Sequence, residues 1–354
     1  MTEAGEKVAA AVYAALERQQ DRRHRDHLGC SQLGRPCSRD IWYGWRWASE
    51  ISHPGRVLRL FRRGQDEEER VVEDLRSAGL EVHDRDPETG QQFRVLGFGG
   101  HLGGSLDGAC RGIPGRPTTW AVLEIKTSGA KPFKKLKASG VRVAKPEHFA
   151  QMQLYMEKTG MRLALYFAVC KDNDELYAEV VAHDQAEARQ LLAKAEAILN
   201  ADQPPPKIAE SPAWFQCKWC DHRRHCHGED APLANCRTCV HATPELEEGE
   251  AGRWICEKLC RPLSHDEQER GCQHHLYLPG LLNFAEVVEA DPAGRWIEYK
   301  SEQGVHFRNG IADNQEEPLP WPSQNLAELG ARVLTDDPLL ESIRRTFGPV
   351  KIEK

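Results

Sequence analysis

The stretch TTWAVLEIKTSG, Thr118 to Gly129, decides how the rest of the chain is read. Its β-branched and apolar residues predict a strand. Side chains on a strand alternate, so Ala121, Leu123 and Ile125 share one face while Val122, Glu124 and Lys126 share the other. An acid and a base therefore stand side by side near the end of a strand that is otherwise core material. Taken alone, an E-x-K pair in so charged a chain reads as a solvated strand end. Its meaning depends on what neighbouring elements bring to it.

Upstream, FRRGQDEEERVVEDLRSAG predicts a helix from about Gln65 that stops near Gly79, with Val71, Val72 and Leu75 on one face. FRVLGF and HLGGSLDGAC predict strands. In the second, Leu102, Leu106 and Cys110 point one way while Ser105, Asp107 and Ala109 point the other, so Asp107 is placed to face Glu124 from a neighbouring strand. Downstream, PEHFAQMQLYMEKTG predicts a helix with Pro146 at its start, RLALYFAVC and ELYAEVVA two more strands, and QAEARQLLAKAEAIL a further helix. Helix, three strands, helix and strands make an α/β core with a mixed sheet flanked by helices.

Two carboxylates converging at a sheet's end need a counter-charge, and hard oxygen ligands of this kind suit Mg2+ or Mn2+. Glu68, three residues before Val71 and seven before Leu75, offers a third carboxylate. His148, Gln151 and Tyr155 recur at helical spacing and line the same cleft. Each has a plainer reading by itself: Glu68 as a solvated residue amid DEEER, Asp107 as a turn, Tyr155 as packing. Their order and spacing together favour one site.

The chain has 354 residues, 40% of them apolar, enough for one main domain and one or two smaller ones. No run approaches the ~18 apolar residues of a membrane span, and the helical EKVAAAVYAALERQQDRRHRDH carries no export-type apolar run, so a cytoplasmic protein is expected. A net charge of −7 gives no global attraction to polyanions. Locally, KPFKKLKASGVRVAK carries Lys131, Lys134, Lys135, Lys137, Arg142 and Lys145 without one acid, which makes these residues candidates for phosphate contacts, with a solvated mobile loop as the alternative.

Twelve cysteines in a cytoplasmic chain point to metal more than to disulfides. CKWCDHRRHC places Cys217, Cys220 and Cys226 in a C-x2-C-x5-C pattern that lacks a fourth thiolate. Zinc completed by His222, His225 or His227 is one answer; a remote Cys37, just before the aromatic segment SRDIWYGWRW, is the other. Farther on, CRTC is a knuckle in which Cys236 and Cys239 need two partners from Cys256, Cys260, Cys272, His274 and His275. Cys30, Cys110 and Cys170 read as buried free thiols. The linker ADQPPPK precedes this Cys-rich part, and after Asn283 the cysteines stop. EVVEAD and GRWIEYKSEQGVHFRNG then predict a small β-rich appendage with a turn at Ser301 to Gly304.

GSLDG followed by LEIKTS, with GQDEE on the preceding helix and QMQLY on the following one, resembles the PD-(D/E)XK nuclease superfamily. The likeness is nearest to the branch with the RecB and AddB nuclease domains, the CRISPR-associated iron–sulfur exonucleases and phage lambda exonuclease, and it covers roughly residues 28–230. The resemblance implies a metal-dependent DNA exonuclease in recombination, repair or phage DNA processing. It also implies a single-strand annealing or recombination protein as candidate partner and, if the chain is phage-encoded, the bacterial host's cytoplasm as its place. It implies Asp107, Glu124 and the Ile125 carbonyl as metal ligands, Glu68 as the helical acid, Lys126 as the group that orients or deprotonates the attacking water, and Gln151 with Tyr155 as the positioning motif. Where many RecB-like members carry a His on the first helix this chain has Glu68, as lambda exonuclease does, so one or two catalytic metals stay open.

Cys37 with Cys217, Cys220 and Cys226 resembles the branch's iron–sulfur staple and implies a [4Fe–4S] cluster. The segment with Cys236 and Cys239 resembles zinc segments appended to phage nucleases, which implies Cys256 and Cys272 as the other two Zn2+ ligands. The domain organisation expected is a helix over 1–27, the nuclease core with its staple over 28–230, a zinc segment over 231–283 and the β-rich appendage over 284–354. Two other readings remain open: a DNA-binding clamp or recruitment module that keeps the fold without cleaving, and a restriction-type endonuclease.

Overall fold

The computed structural model describes residues 2–330 apart from 22, 248 and 312–319. The expected appendage is therefore described only in part. The chain divides into two compact units. The first contains Met1–Arg23, His27–Pro36 and Ser52–Glu196; the second contains His24–Asp26, Cys37–Ile51 and Ala197–Lys354. Cys37 and the aromatic segment after it thus belong with the cysteine-rich part of the chain, while the carboxylates belong to the other unit.

In chain order the elements begin with α1 (Glu3–Gln19), β1 (Leu28–Gly29), α2 (Ser38–Trp45) and α3 (Gly55–Ser77). Then come β2 (Glu81–His83), β3 (Arg94–Gly97), β4 (Leu102–Ser105), β5 (Gly108–Arg111) and β6 (Ala121–Ser128). They continue with α4 (Ala130–Ala144), α5 (Pro146–Thr159), β7 (Leu163–Cys170), β8 (Leu176–Ala182) and α6 (Gln185–Leu199).

The first unit is the mixed α/β core predicted from the sequence. Its five-stranded sheet runs β2-β5-β6-β7-β8, with β6 and β7 parallel and the other neighbours antiparallel. Ala121, Leu123 and Ile125 of β6 pack with Val71, Val72 and Leu75 of α3. The other face of β6 is closed as well: Val122 and Glu124 are fully buried, and α5 covers that side with eight consecutive buried residues from Phe149 to Met156. α5 starts on Pro146 and stops at Gly160, whose φ of 74° supplies the left-handed end.

Three expectations change. The first helix is longer than predicted, beginning at Gly55, because the apolar spacing continues through Val57 and Leu58, both partly buried. HLGGSLDGAC is two strands in two sheets: β4 lies between β1 and β3 in a three-stranded sheet, while β5 joins the main sheet. Asp107 stands at the crossing between them. The basic run is not a loop but helix α4, because Phe133 and Leu136 recur at helical spacing and are buried; it breaks at Gly140, where φ is 70°.

The second unit holds α2, then α7 (Arg223–Cys226), β9 (Ala242–Pro244), β10 (Trp254–Cys256), β11 (Arg261–Leu263) and α8 (His265–Arg270). An antiparallel three-stranded sheet follows, β12 (Ala285–Ala290), β13 (Trp296–Ser301) and β14 (His306–Gly310), and the described part ends with α9 (Ser323–Leu329). The β12 to β14 sheet is the β-rich appendage, and its turn closes as expected, with Gly304 N donating to Ser301 O at 2.9 Å. The interior is aromatic: Trp42, Trp45, Trp47 and Trp254 are essentially buried. Arg237 stacks over Trp47 at 3.6 Å and donates to the carbonyls of Asp26 and Trp45, which satisfies a guanidinium that burial would otherwise penalise.

Candidate functional site

Glu124 comes from the middle of β6, where both faces are covered, and its carboxylate is completely buried. Neither oxygen accepts a well-formed hydrogen bond. Its charge partner is Lys126, two residues on and on the same face, with Nζ 2.5 Å from Oε1. That ammonium also donates to the Ile125 carbonyl at 3.0 Å and lies 3.5 Å from Asp107 Oδ2. Asp107 is held in turn by the Ile125 amide, which donates to Oδ2 at 2.7 Å. Register explains this, because β5 pairs Gly108 with Leu123 and the residue before Gly108 falls opposite Glu124.

Three oxygens, from Glu124, Asp107 and the Ile125 backbone, thus surround one cation, the Lys126 ammonium. Glu68 on α3 faces the same group. Burial, then the charge of Asp107, raise its carboxyl to about 7 against the pull of Lys126. Glu124 is raised too, by burial first, with Lys126 opposing and Asp107 adding. For Lys126, burial favours the neutral amine, but the carboxylates around it outweigh this and its pKa is raised. Two acids are held back from ionising beside a fixed positive charge, which is the electrostatic state of a cation site short of positive charge.

From α5, Gln151 Nε2 donates to Tyr155 Oη at 3.1 Å, and Tyr155 donates to the Ser105 carbonyl at 2.8 Å. The motif therefore braces the strand end that delivers Asp107; Gln151 makes no hydrogen bond to Lys126. His148 pairs with Tyr166 Oη at 2.9 Å, and burial, followed by Lys126 and Lys145, lowers its pKa to about 3. Sequence reasoning missed Ser105, Tyr166 and Gly104. A Cβ on Gly104 would lie 2.7 Å from the Tyr155 ring, so the paired glycines before Ser105 were the available signal of close approach.

The candidate phosphate contacts divide. Lys131, Lys134 and Lys135 are exposed on α4. Lys137 pairs with Glu175 at 2.9 Å, and Arg142 pairs with Asp184 at 3.2 Å and lies over the Phe149 ring. Lys145 sits partly buried where α4 meets α5.

In the second unit, Cys37 lies at the start of α2, within electrostatic reach of all three thiols of the C-x2-C-x5-C segment. Burial raises Cys217, Cys220 and Cys226, and Arg39 beside Cys226 opposes the shift there. Cys220 Sγ donates to Asp40 at 3.1 Å. His222 Nδ1 pairs with Ser49 at 3.1 Å and His225 Nδ1 faces the Asp230 carbonyl at 3.3 Å, while His225 Nε2 is buried without a hydrogen bond. Cys236, Cys239, Cys256 and Cys272 line one cavity with His241, His274 and His275. Cys260 is exposed and donates to Glu257 O instead. The two thiol sets suit soft metals by donor chemistry. Among the described residues, however, no three His, Cys, Asp or Glu side chains already stand in a metal-holding arrangement. No described helix is long and apolar enough to cross a membrane.

No family model matches the chain, and no curated protein matches it. Among solved structures it is similar to an alkaline exonuclease, LHK-Exo, from Laribacter hongkongensis, at 16% identity and a TM-score of 0.36 over 53% of this chain and 90% of that one. The same enzyme in complex with dAMP gives 16% identity and a TM-score of 0.35 with the same coverage. At these TM-scores neither likeness bears on the site or its reaction.

Proposed function

We propose that the chain is a metal-dependent DNA nuclease of the PD-(D/E)XK type, acting as an exonuclease. The observation that carries this reading is the gathering of the Glu124, Asp107 and Ile125 oxygens around a single positive charge, with Glu68 facing it. These residues fit a hard divalent cation, since the Lys126 ammonium already occupies a cage of oxygens and Glu124 keeps buried oxygens without hydrogen bonds. Asp107, Glu124 and the Ile125 carbonyl would hold Mg2+ or Mn2+, with Glu68 beside them, and the ion supplies Lewis acidity and a bound water of lowered pKa.

The remaining work falls to the chain itself. Lys126, freed from the carboxylates, carries the positive charge that meets the scissile phosphate and orients the attacking water. Tyr155, held by Gln151, fixes the Ser105 carbonyl and through it the position of Asp107. The exposed Lys131, Lys134 and Lys135 of α4 take the flanking phosphates. In this reading Cys37, Cys217, Cys220 and Cys226 hold a [4Fe–4S] cluster, and Cys236, Cys239, Cys256 and Cys272 hold Zn2+.

The test is digestion of end-labelled linear DNA and closed circular duplex with Mg2+ or Mn2+, by the native protein and by Asp107→Ala, Glu124→Ala and Lys126→Ala. Metal-dependent loss of linear DNA, absent in all three variants, is expected. Linearisation of the circle at a comparable rate would replace the exonuclease with an endonuclease. Binding without any cleavage would make the protein a clamp.

A further inference from the structure

α3 carries a second set of charges on its other side. Arg56, Arg59, Arg62 and Arg63 line a cavity of about 260 Å³ together with Tyr13 of α1 and Asp66. Glu68 lies nine residues beyond Arg59, about half a turn round the helix, so this row faces away from the carboxylate site. Among the described residues Arg56, Arg59 and Arg62 make no ion pair or hydrogen bond, and Arg63 donates only to the Lys171 carbonyl at 2.8 Å. The helix's own first amide is already used, because Gly55 N donates to Glu17 Oε1 at 2.7 Å. Like charges spaced three and four residues apart disfavour a helix by a few tenths of a kcal/mol per pair. This row bears that cost with four arginines against one carboxylate in the cavity, Asp66.

The cavity wall is fixed. A Cβ on Gly55 would run into the Tyr13 backbone, so α1 and α3 meet there without slack. The row is also joined to the sheet. Arg63 holds the Lys171 carbonyl, Lys171 N donates to Ser128 O at 2.9 Å, and Asp172 accepts from Ala130 N at 2.6 Å. Guanidinium groups thus lead by way of the turn after β7 to the end of β6 and the start of α4, where Lys131 stands.

We propose that Arg56, Arg59, Arg62 and Arg63 form a phosphate-binding site that anchors a DNA strand outside the catalytic cleft. Planar guanidinium forks suit phosphate oxygens in pairs. From Arg56 to Arg63 the helix rises about 10 Å, room for more than one phosphate. The identity of the polyanion rests on the nuclease reading; the phosphate chemistry does not.

The experiment measures binding of a fluorescent 30-base-pair duplex by anisotropy across salt concentrations, without Mg2+ or Mn2+, for the native protein, R56Q/R59Q/R62Q and R56K/R59K/R62K. Melting curves in inorganic phosphate are recorded beside it. The Gln variant should melt no lower than the native protein and bind at least about tenfold more weakly, with a salt slope shallower by about 2–3. The Lys variant should keep most of the slope while losing affinity. Unchanged affinity and slope in the Gln variant would overturn the proposal. Phosphate protection lost in that variant while duplex binding stays intact would overturn the strand and leave a small-anion site. Native protein that binds through the row yet leaves linear DNA intact once Mg2+ or Mn2+ is added would refute the nuclease reading and leave this one standing.

Discussion

The carboxylate cluster of the first unit and the thiol clusters of the second answer the same problem, crowded ligand groups in a dry interior, in opposite ways. In the first, the sheet supplies its own counter-ion: Lys126 lies among Glu124, Asp107 and the Ile125 carbonyl, and the strand holds all of them at fixed register. In the second, burial raises Cys220 and Cys236, whose thiols donate outward to Asp40 and to the Glu267 carbonyl, and Arg39 beside Cys226 opposes the rise there. The strands themselves hold the carboxylate cluster in place. The thiol clusters lie on short loops and strands, where the metal of the proposed function would set their shape.

If the thiol clusters hold metal as proposed, the largest effect should come from stripping it from the second unit. Structural zinc is worth on the order of 10 kcal/mol of folding free energy, so chelation or Cys239→Ser should leave the region beyond residue 197 open to proteolysis while the five-stranded sheet stays protected. Equal resistance of both regions after chelation would erase the contrast. Next in size is Lys126→Met, which strands Glu124 in the interior. A loss of about 3–5 kcal/mol in chemical denaturation is expected, most of it recovered by adding Glu124→Gln, with cleavage about 10²–10⁴-fold slower in the single variant. A single variant as stable as the native protein would mean that the pair does not organise the site.

Tyr155→Phe keeps the ring against Gly104 and removes the hydroxyl that reaches Ser105 O and Gln151, so a loss of about 1–2 kcal/mol and a several-fold lower cleavage rate are expected. The smallest effect is a pH response. His148 has a folded pKa of about 3, against 6.5 when free. The unfolded chain therefore gains a proton as pH falls through 6.5 and the folded one does not, so stability is complete above that pH and declines below it. His148→Gln should remove about 0.8 kcal/mol of the decline seen at pH 6, read from urea midpoints at pH 8 and 6.

The strand that carries Glu124 and Lys126 was legible because alternation and β-branching agree there, and Asp107 followed from counting residues on a neighbouring strand. What escaped was context. The break at Leu106 to Asp107 depends on which sheet each half joins, and nothing local in GGSLDG states that. Helix α4 was hidden because lysines outnumber Phe133 and Leu136, the residues that place it. Arg56 to Arg63 fall before the helix start expected at Gln65, and only the helix that begins at Gly55 sets them along one face. Cys37 was matched to the later cysteines by spacing and family likeness, whereas its grouping with Ala197–Lys354 is a property of three-dimensional packing.

Gly104 has no group that reacts, binds or titrates, yet the Tyr155 ring leaves no room for even a methyl there. In a library of random substitutions selected for activity, that position should be as intolerant as Asp107, three residues away. The sequence space closed to variation is then wider than the set of groups that react, bind or titrate, and part of its border is drawn by a missing side chain.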